Sequence, residues 1–229
     1  MRGVRVAAAC LVVAVLIGAI AVEPAVVGPQ PAGRSGTVLV LPSPLTRGPL
    51  SLEEVLLGRR SVRDLSDREL TEVEIGQLLW AAQGVTDTEG RRTAPSAGAL
   101  YPLELYAVMA AGLFHYEPAR HALALVRGGD LRGRLRAAAL DQTAVGAAPL
   151  VVVVTAVPAR TEARYGPERA MRYAHLEAGH AAQNLLLEAT ALGLGAVPVG
   201  AFDDAAVGSL LGLTAGEVPV YLVPVGHPA

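Results

Sequence analysis

Four short stretches of this chain gather side chains able to do chemistry. Arg59-Arg60-Ser61-Val62-Arg63 puts three guanidiniums and a hydroxyl within five residues. In extended backbone, side chains two apart share a face, so Arg59, Ser61 and Arg63 suit a single phosphate, with Arg60 beside them. The same text suits a solvated basic turn. Pro95-Ser96-Ala97-Gly98-Ala99-Leu100, followed by Tyr101-Pro102, sets small residues between two prolines. Such a loop is stiff and lets a ligand approach the backbone, although a plain connector reads alike. Ser96 is not a hydrolase nucleophile on an elbow, because Ala94 stands where G-x-S-x-G needs glycine. Val199-Gly200-Ala201 precedes a helix start at Asp203 and offers unobstructed backbone N–H groups. Finally, Tyr173, Glu177, His180 and Asn184 fall on one helical face. They suit a polar seam in a core or interface, and also direct catalysis. His175 and His180 are five residues apart and cannot share a zinc as in H-E-x-x-H, so no metal is expected.

Composition narrows the chemistry. All 19 basic residues are arginine. Without lysine there is no Schiff base and no P-loop. The net charge of −2, with no basic stripe, argues against nucleic acid as a partner. The one cysteine, Cys10, lies near the N-terminus, which rules out a disulfide framework or a cysteine nucleophile in the body. Gly193-Leu194-Gly195 superficially suggests a dinucleotide loop, but Pro198 takes the place of the third glycine, and the glycines leave a helix instead of opening one.

The elements that must position these groups follow from local pattern. Ser51 with Glu54 and Thr71 with Glu74 are capping boxes for helices ending near Gly58 and Gln83. Strands are expected at 103–110, 112–116, 122–126, 149–156, 195–201 and 218–225, and short helices at 131–140 and 203–211. The longest helix is expected from about Glu168 to Leu192. This mixture predicts an α+β fold with hairpin-like strands, not a doubly wound sheet. Residues 51–229 form the expected folded domain, and the Pro/Gly-rich stretch 24–50 is expected to be a linker. Residues 1–23 carry Arg2, Arg5 and an apolar run from Val6 to Val22. They are expected to be a signal peptide or membrane anchor that places the body outside the cytoplasm; a start codon further downstream would leave it cytoplasmic.

Taken in order, the stretches Arg59 to Arg63, Leu78 to Gly84, Ala94 to Leu103, Leu176 to Leu185, Gly193 to Gly195, Phe202 to Asp204 and Val225 to Pro228 resemble the nitroreductase family. They are most similar to its SagB-type branch, the azoline dehydrogenases that act on peptides. The resemblance implies an α+β, nitroreductase-like sandwich with a mostly antiparallel sheet and a long central helix. It implies a homodimer with FMN at the interface. Arg59, Arg60, Ser61 and Arg63 would then hold the flavin phosphate and ring edge, and Pro95, Ser96, Ala97, Gly98, Ala99 and Leu100 would line the flavin. Val199, Gly200 and Ala201 would present backbone to the ring, with the Gly200 N–H toward N5. His227 would stand where relatives place an arginine on the phosphate. The branch uses a lysine–tyrosine pair as base; Arg164-Tyr165 occupies that place, and arginine stays protonated.

The expected activity is therefore hydride transfer between a substrate and flavin N5, on a peptide azoline or a small molecule. A nitro or quinone reductase fed by NAD(P)H is the alternative. A flavin-binding domain without turnover, tethered at a membrane, is another.

Overall fold

The computed structural model describes residues 37–229. In chain order the strands are β1 Val38–Val40, β2 Leu103–Met109, β3 Gly112–Glu117, β4 Ala122–Gly128, β5 Leu150–Ala156, β6 Gly195–Ala196 and β7 Val218–Gly226. The helices are α1 Leu52–Gly58, α2 Glu72–Gln83, α3 Arg132–Ala138, α4 Thr143–Ala147, α5 Ala159–Tyr165, α6 Pro167–Ala191 and α7 Asp204–Leu211. The strands form one antiparallel sheet in the order β1-β4-β3-β2-β5-β7-β6.

Helices cover both faces of the sheet. Residues of β5 are buried throughout, because alternate side chains enter two separate cores. Leu150, Val152 and Val154 pack with Leu78 and Leu79 of α2 and Leu185 of α6. Val151 and Val153 pack with Leu135 of α3, Val145 of α4 and Val207 and Leu211 of α7. Burying each such side chain stabilises the fold by roughly 1.5–3 kcal/mol, so this strand fixes the three layers. The expected α+β sandwich, with an antiparallel sheet and one long helix, is the architecture observed.

Both capping boxes form. Glu54 N donates to Ser51 Oγ and Ser51 N to Glu54 Oε2, and Thr71 and Glu74 do the same. Gly84 ends α2 for a reason other than turn chemistry. Its φ is −66°, but a β-carbon there would lie 2.0 Å from Cδ1 of Trp80. Part of the stretch expected as linker is built into the sheet: β1 pairs with β4, Leu41 is buried, and Leu45 N donates to Gln77 Oε1 at 2.8 Å. The strand expected at 195–201 stops at Ala196, since Pro198 has no N–H to continue it; Val199 rejoins through a bridge to Leu222.

The exported or membrane-anchored, extracytoplasmic placement expected from residues 1–23 does not stand. No helix among the described residues is long and apolar enough to cross a membrane. Even α6, 25 residues long, carries two arginines, Arg169 and Arg172, on its N-terminal half. Residues 1–23 themselves lie outside the described residues.

Candidate active site

The arginine-rich stretch 59–63 leaves α1 against the edge of the sheet. Arg59 N closes the helix on Val55 O at 2.9 Å, and the chain then runs extended beside β6. Ser61 bridges Ala196, and Val62 N donates to Ala196 O at 3.0 Å. Val62 turns inward: its Cγ1 is 2.8 Å from where a β-carbon of Gly195 would lie. Ser61 and Arg63, one residue to either side, are exposed together, as alternation requires. Arg63 faces a small cleft shared with Gln142, Thr143 and Val197 to Val199. The side chains of Arg59, Ser61 and Arg63 make no internal hydrogen bond among the described residues. Arg60 differs, because its Nη1 donates to Leu57 O at 2.9 Å and Arg59 O at 2.7 Å, capping α1.

Gly200 lies between two fixed points. Val199 and Leu222 exchange backbone hydrogen bonds of 2.8 and 3.0 Å. On the other side, Ala201 O accepts from Gln142 Nε2 at 2.8 Å and Asp203 caps α7 through Ala206 N. Gly200 itself is exposed, with open space where a side chain would stand. His227 is tied by its backbone to the chain just past Arg63: its carbonyl accepts from Ser66 N at 2.9 Å. Its ring, however, is buried toward α2, where Nε2 lies 3.9 Å from Glu74 Oε1 without a hydrogen bond.

The loop from Pro95 to Leu100 is a short 3-10 turn with unusual backbone. Gly98, Ala99 and Tyr101 have φ of 62°, 54° and 45°. For a residue with a β-carbon the left-handed region costs roughly 1–2 kcal/mol, so the turn must be held from outside. Tyr101 N donates to Ser96 Oγ at 2.9 Å. Arg92 N donates to Tyr101 Oη, and its guanidinium lies 4.5 Å from the Tyr101 ring centre. Arg160 Nη1 donates to Tyr101 O at 2.9 Å, and Arg160 also pairs with Glu104. Glu104 in turn holds His115 at 2.7 Å; the hydrogen bond from His115 and the charge of Arg160 keep its carboxyl below the usual range against the cost of burial.

Arg164 and Tyr165, on α5, meet this loop. A β-carbon on Gly98 would lie 3.0 Å from Tyr165 Oη and 3.1 Å from Arg164 Nη1. The Tyr165 ring stands edge-on to Tyr173 of α6 at 4.9 Å, and the Arg164 guanidinium lies 5.7 Å from the Tyr165 ring centre. Pairing a never-deprotonated cation with a phenol gives a proton donor beside a fixed positive charge.

The polar seam on α6 is largely engaged. Asn184 Nδ2 donates to Thr93 O at 3.3 Å, and Glu177 is buried, 2 % exposed, with Gln83 Nε2 donating to it at 3.4 Å. His180 is exposed. Burial pushes the Glu177 carboxyl up to about 7, against hydrogen bonds from Ser96 and Gln83 that lower it. Arg92 Nη1 donates to Gln83 Oε1 at 2.9 Å, which aims the amide of Gln83 at Glu177. Gln83, Arg92 and Arg160 were not among the residues expected from sequence; only the seam on α6 announced that polar partners must face it.

Two groups therefore emerge in one chain. One is the cleft lined by Arg63 and Val199, with Gly200 next in the chain; the other is the 96–101 turn with Arg164 and Tyr165. No hydrogen bond joins them among the described residues.

The fold is a nitroreductase-like sandwich, and the chain belongs to the Nitroreductase family, whose profile matches residues 56–227. A protein of Methanocaldococcus jannaschii assigned as a nitroreductase is 43% identical over 184 residues, covering 78% of this chain and 91% of that one. The crystal structure of a protein of Ralstonia eutropha, likewise assigned as a nitroreductase, superposes with a TM-score of 0.76 at 32% identity, over 88% of this chain and 94% of that one. The microcin synthetase McbBCD complex of E. coli shares the fold, with a TM-score of 0.66 at 24% identity over 73% of this chain and 68% of that one.

Proposed function

We propose that the protein binds FMN and exchanges hydride between it and a substrate, in a site completed by a second copy of the chain. The observation that carries this reading is the convergence of Arg164 and Tyr165 on Gly98, within the loop that the family resemblance puts against a flavin. The residues present fit the cofactor. Among the described residues, Arg59, Ser61 and Arg63 have side-chain donors without internal partners, as a phosphate requires. Gly200 has space where a side chain would block a ring, and its neighbours are tied down. That the two groups lie apart in one chain is consistent with a homodimer that joins them.

FMN, when bound, supplies two-electron hydride exchange at N5. The protein's own part is binding, orientation and proton handling. Arg59, Ser61 and Arg63 hold the phosphate, and the Gly200 backbone N–H supports negative charge on the ring. Tyr165 carries the proton that accompanies hydride, and Arg164 stabilises the phenolate or an anionic oxygen of the substrate. In the SagB-type reading the substrate would be a peptide azoline whose ring proton Tyr165 would take, with bound FMN supplying the two-electron acceptor and oxygen the final oxidant. The second reading, a reductase fed by NAD(P)H, is favoured by Arg164 itself: a permanent cation suits an acceptor that gains negative charge, such as a nitro group or quinone.

Stopped-flow mixing of the flavin-loaded protein tests both directions. NADPH bleaching the flavin, followed by recolouring with a nitroaromatic or quinone, supports the reductase; bleaching by an azoline peptide supports the dehydrogenase. A flavin that neither donor bleaches contradicts both and leaves a binding domain without turnover.

A further inference from the structure

We propose that Arg160 is a positioning residue for this reaction: its guanidinium, held by the Glu104 carboxylate, ties helix α5 to the Tyr101 carbonyl and so sets Tyr165 against the 96–101 turn. The role in the reaction rests on the function proposed above, whereas the tie is a property of the chain alone.

The tie begins in the sheet. Glu104 on β2 lies opposite Thr155 on β5, and its carboxylate is divided between two partners. One oxygen meets His115 Nε2 of β3 at 2.7 Å, and the other accepts from Arg160 Nη2. The Glu104 side chain is only 13% exposed, so it is a fixed post. On the other side of the guanidinium, Arg160 Nη1 donates to Tyr101 O at 2.9 Å. A guanidinium can serve both acceptors because its donors form a rigid planar fork. Among the described residues this is the one side-chain hydrogen bond from α5 to the loop.

The place of Arg160 on α5 carries the tie to Tyr165. Just before the helix, Val157 N donates to Pro102 O at 2.7 Å, so the adjacent carbonyls of Tyr101 and Pro102 both anchor the root of α5. Arg160 and Arg164 are spaced i and i+4 and share a helical face. That face meets the loop: Arg164 Nη1 and Tyr165 Oη lie 3.1 and 3.0 Å from where a β-carbon of Gly98 would stand. On the loop side, Tyr101 is left-handed, with φ of 45°, a conformation that persists only when its surroundings hold it. Its amide donates to Ser96 Oγ and its phenol oxygen accepts from Arg92 N, both within the loop. Of these three holds on Tyr101, the carbonyl bond to Arg160 is the one that crosses to the helix bearing Tyr165.

Two measurements on the full chain test this. In the FMN-free protein, hydrogen exchange is read at Ala99 and Leu100, whose amides close the turn on Ser96 O and Ala97 O. Arg160→Ala should speed exchange there about tenfold, the share of one charge-assisted hydrogen bond, while buried Val152 of β5 keeps its protection. In the FMN-loaded protein, photoreduced without oxygen, the rate of recolouring by a quinone is followed. Arg160→Ala should slow it about tenfold and leave FMN affinity unchanged. Added to Tyr165→Phe, the same substitution should slow it no further, because it acts through the placing of Tyr165; a merely structural defect would add to the loss. Arg160→Lys, which keeps the charge without the fork, should move both readings in the same direction, and it decides the matter if Arg160→Ala does not fold. Unaltered exchange at Ala99 and Leu100, an unaltered recolouring rate, or additive losses in the double variant each overturn the proposal. A colourless protein refutes FMN binding, and the exchange measurement still judges the tie.

Discussion

The phenol oxygen of Tyr165 stands 3.0 Å from the point where Gly98 would carry a β-carbon, so the two residues leave no room for a side chain between α5 and the loop. Gly98 is also left-handed, with φ of 62°. Substituting Gly98→Ala adds left-handed strain and a contact with Tyr165 and Arg164 at once. The variant is expected to lose about 1–2 kcal/mol in urea unfolding. Its flavin reduction should slow at least tenfold, while FMN affinity changes less. Equal rates in variant and wild type would detach this contact from the reaction.

Arg60 and Arg63 are separated by their partners. Arg63 has none among the described residues, whereas Arg60 satisfies two carbonyls at the end of α1. Charge-assisted hydrogen bonds contribute roughly 1.5–3 kcal/mol, so Arg63→Ala should weaken FMN binding by about 10–100-fold. Arg60→Ala should instead lower stability by about 1 kcal/mol and leave affinity nearly unchanged. Fluorescence titration at fixed salt, paired with thermal unfolding, distinguishes the two.

Gly84 is required by Trp80 and not by the turn. A β-carbon 2.0 Å from Cδ1 forces the indole to move, because the backbone of α2 is pinned by the core on Leu78 and Leu79. Gly84→Ala is expected to cost about 1–3 kcal/mol. Trp80 is the sole tryptophan, so its fluorescence maximum reports the displacement directly. An unshifted spectrum with unchanged stability would show that the helix end yields.

Global stability should depend on pH through Glu177. Its carboxyl is raised from 4.5 to about 7 in the folded chain, so between these values the native state holds a proton that the unfolded state has released. The stabilisation is complete below about pH 4.5 and is lost as pH rises through 7. It amounts to no more than about 3 kcal/mol. Glu177→Gln removes the decline and should unfold at higher denaturant than the wild type at pH 8. Parallel pH curves for the two proteins would assign the decline to another group.

Much of the fold was legible in the sequence where its cause is local. Ser51 with Glu54 and Thr71 with Glu74 announce helix starts because a capping box spans three residues. The all-valine run of β5 announces a strand buried on both faces. What escaped detection depends on distant partners. Strand β1 lies in a proline-rich stretch and exists because β4 offers it an edge. Helix α5 starts at Pro158 with no capping side chain, so nothing local marks it. In the site, the alternation of Ser61, Val62 and Arg63 was readable, but the turning of Arg60 onto α1 and of the His227 ring toward Glu74 was not. The bond from Gln83 to Glu177 spans 94 residues; the helical spacing of Tyr173, Glu177 and Asn184 showed only that some polar neighbour had to exist.

The central claim is that Arg59, Ser61 and Arg63 hold the phosphate of a flavin, and an absorption spectrum of the purified full chain tests it most directly. A yellow protein with oxidised-flavin bands, releasing FMN on denaturation and losing it in Arg63→Ala, is the predicted result. A colourless protein that takes up no FMN at millimolar concentration would contradict it.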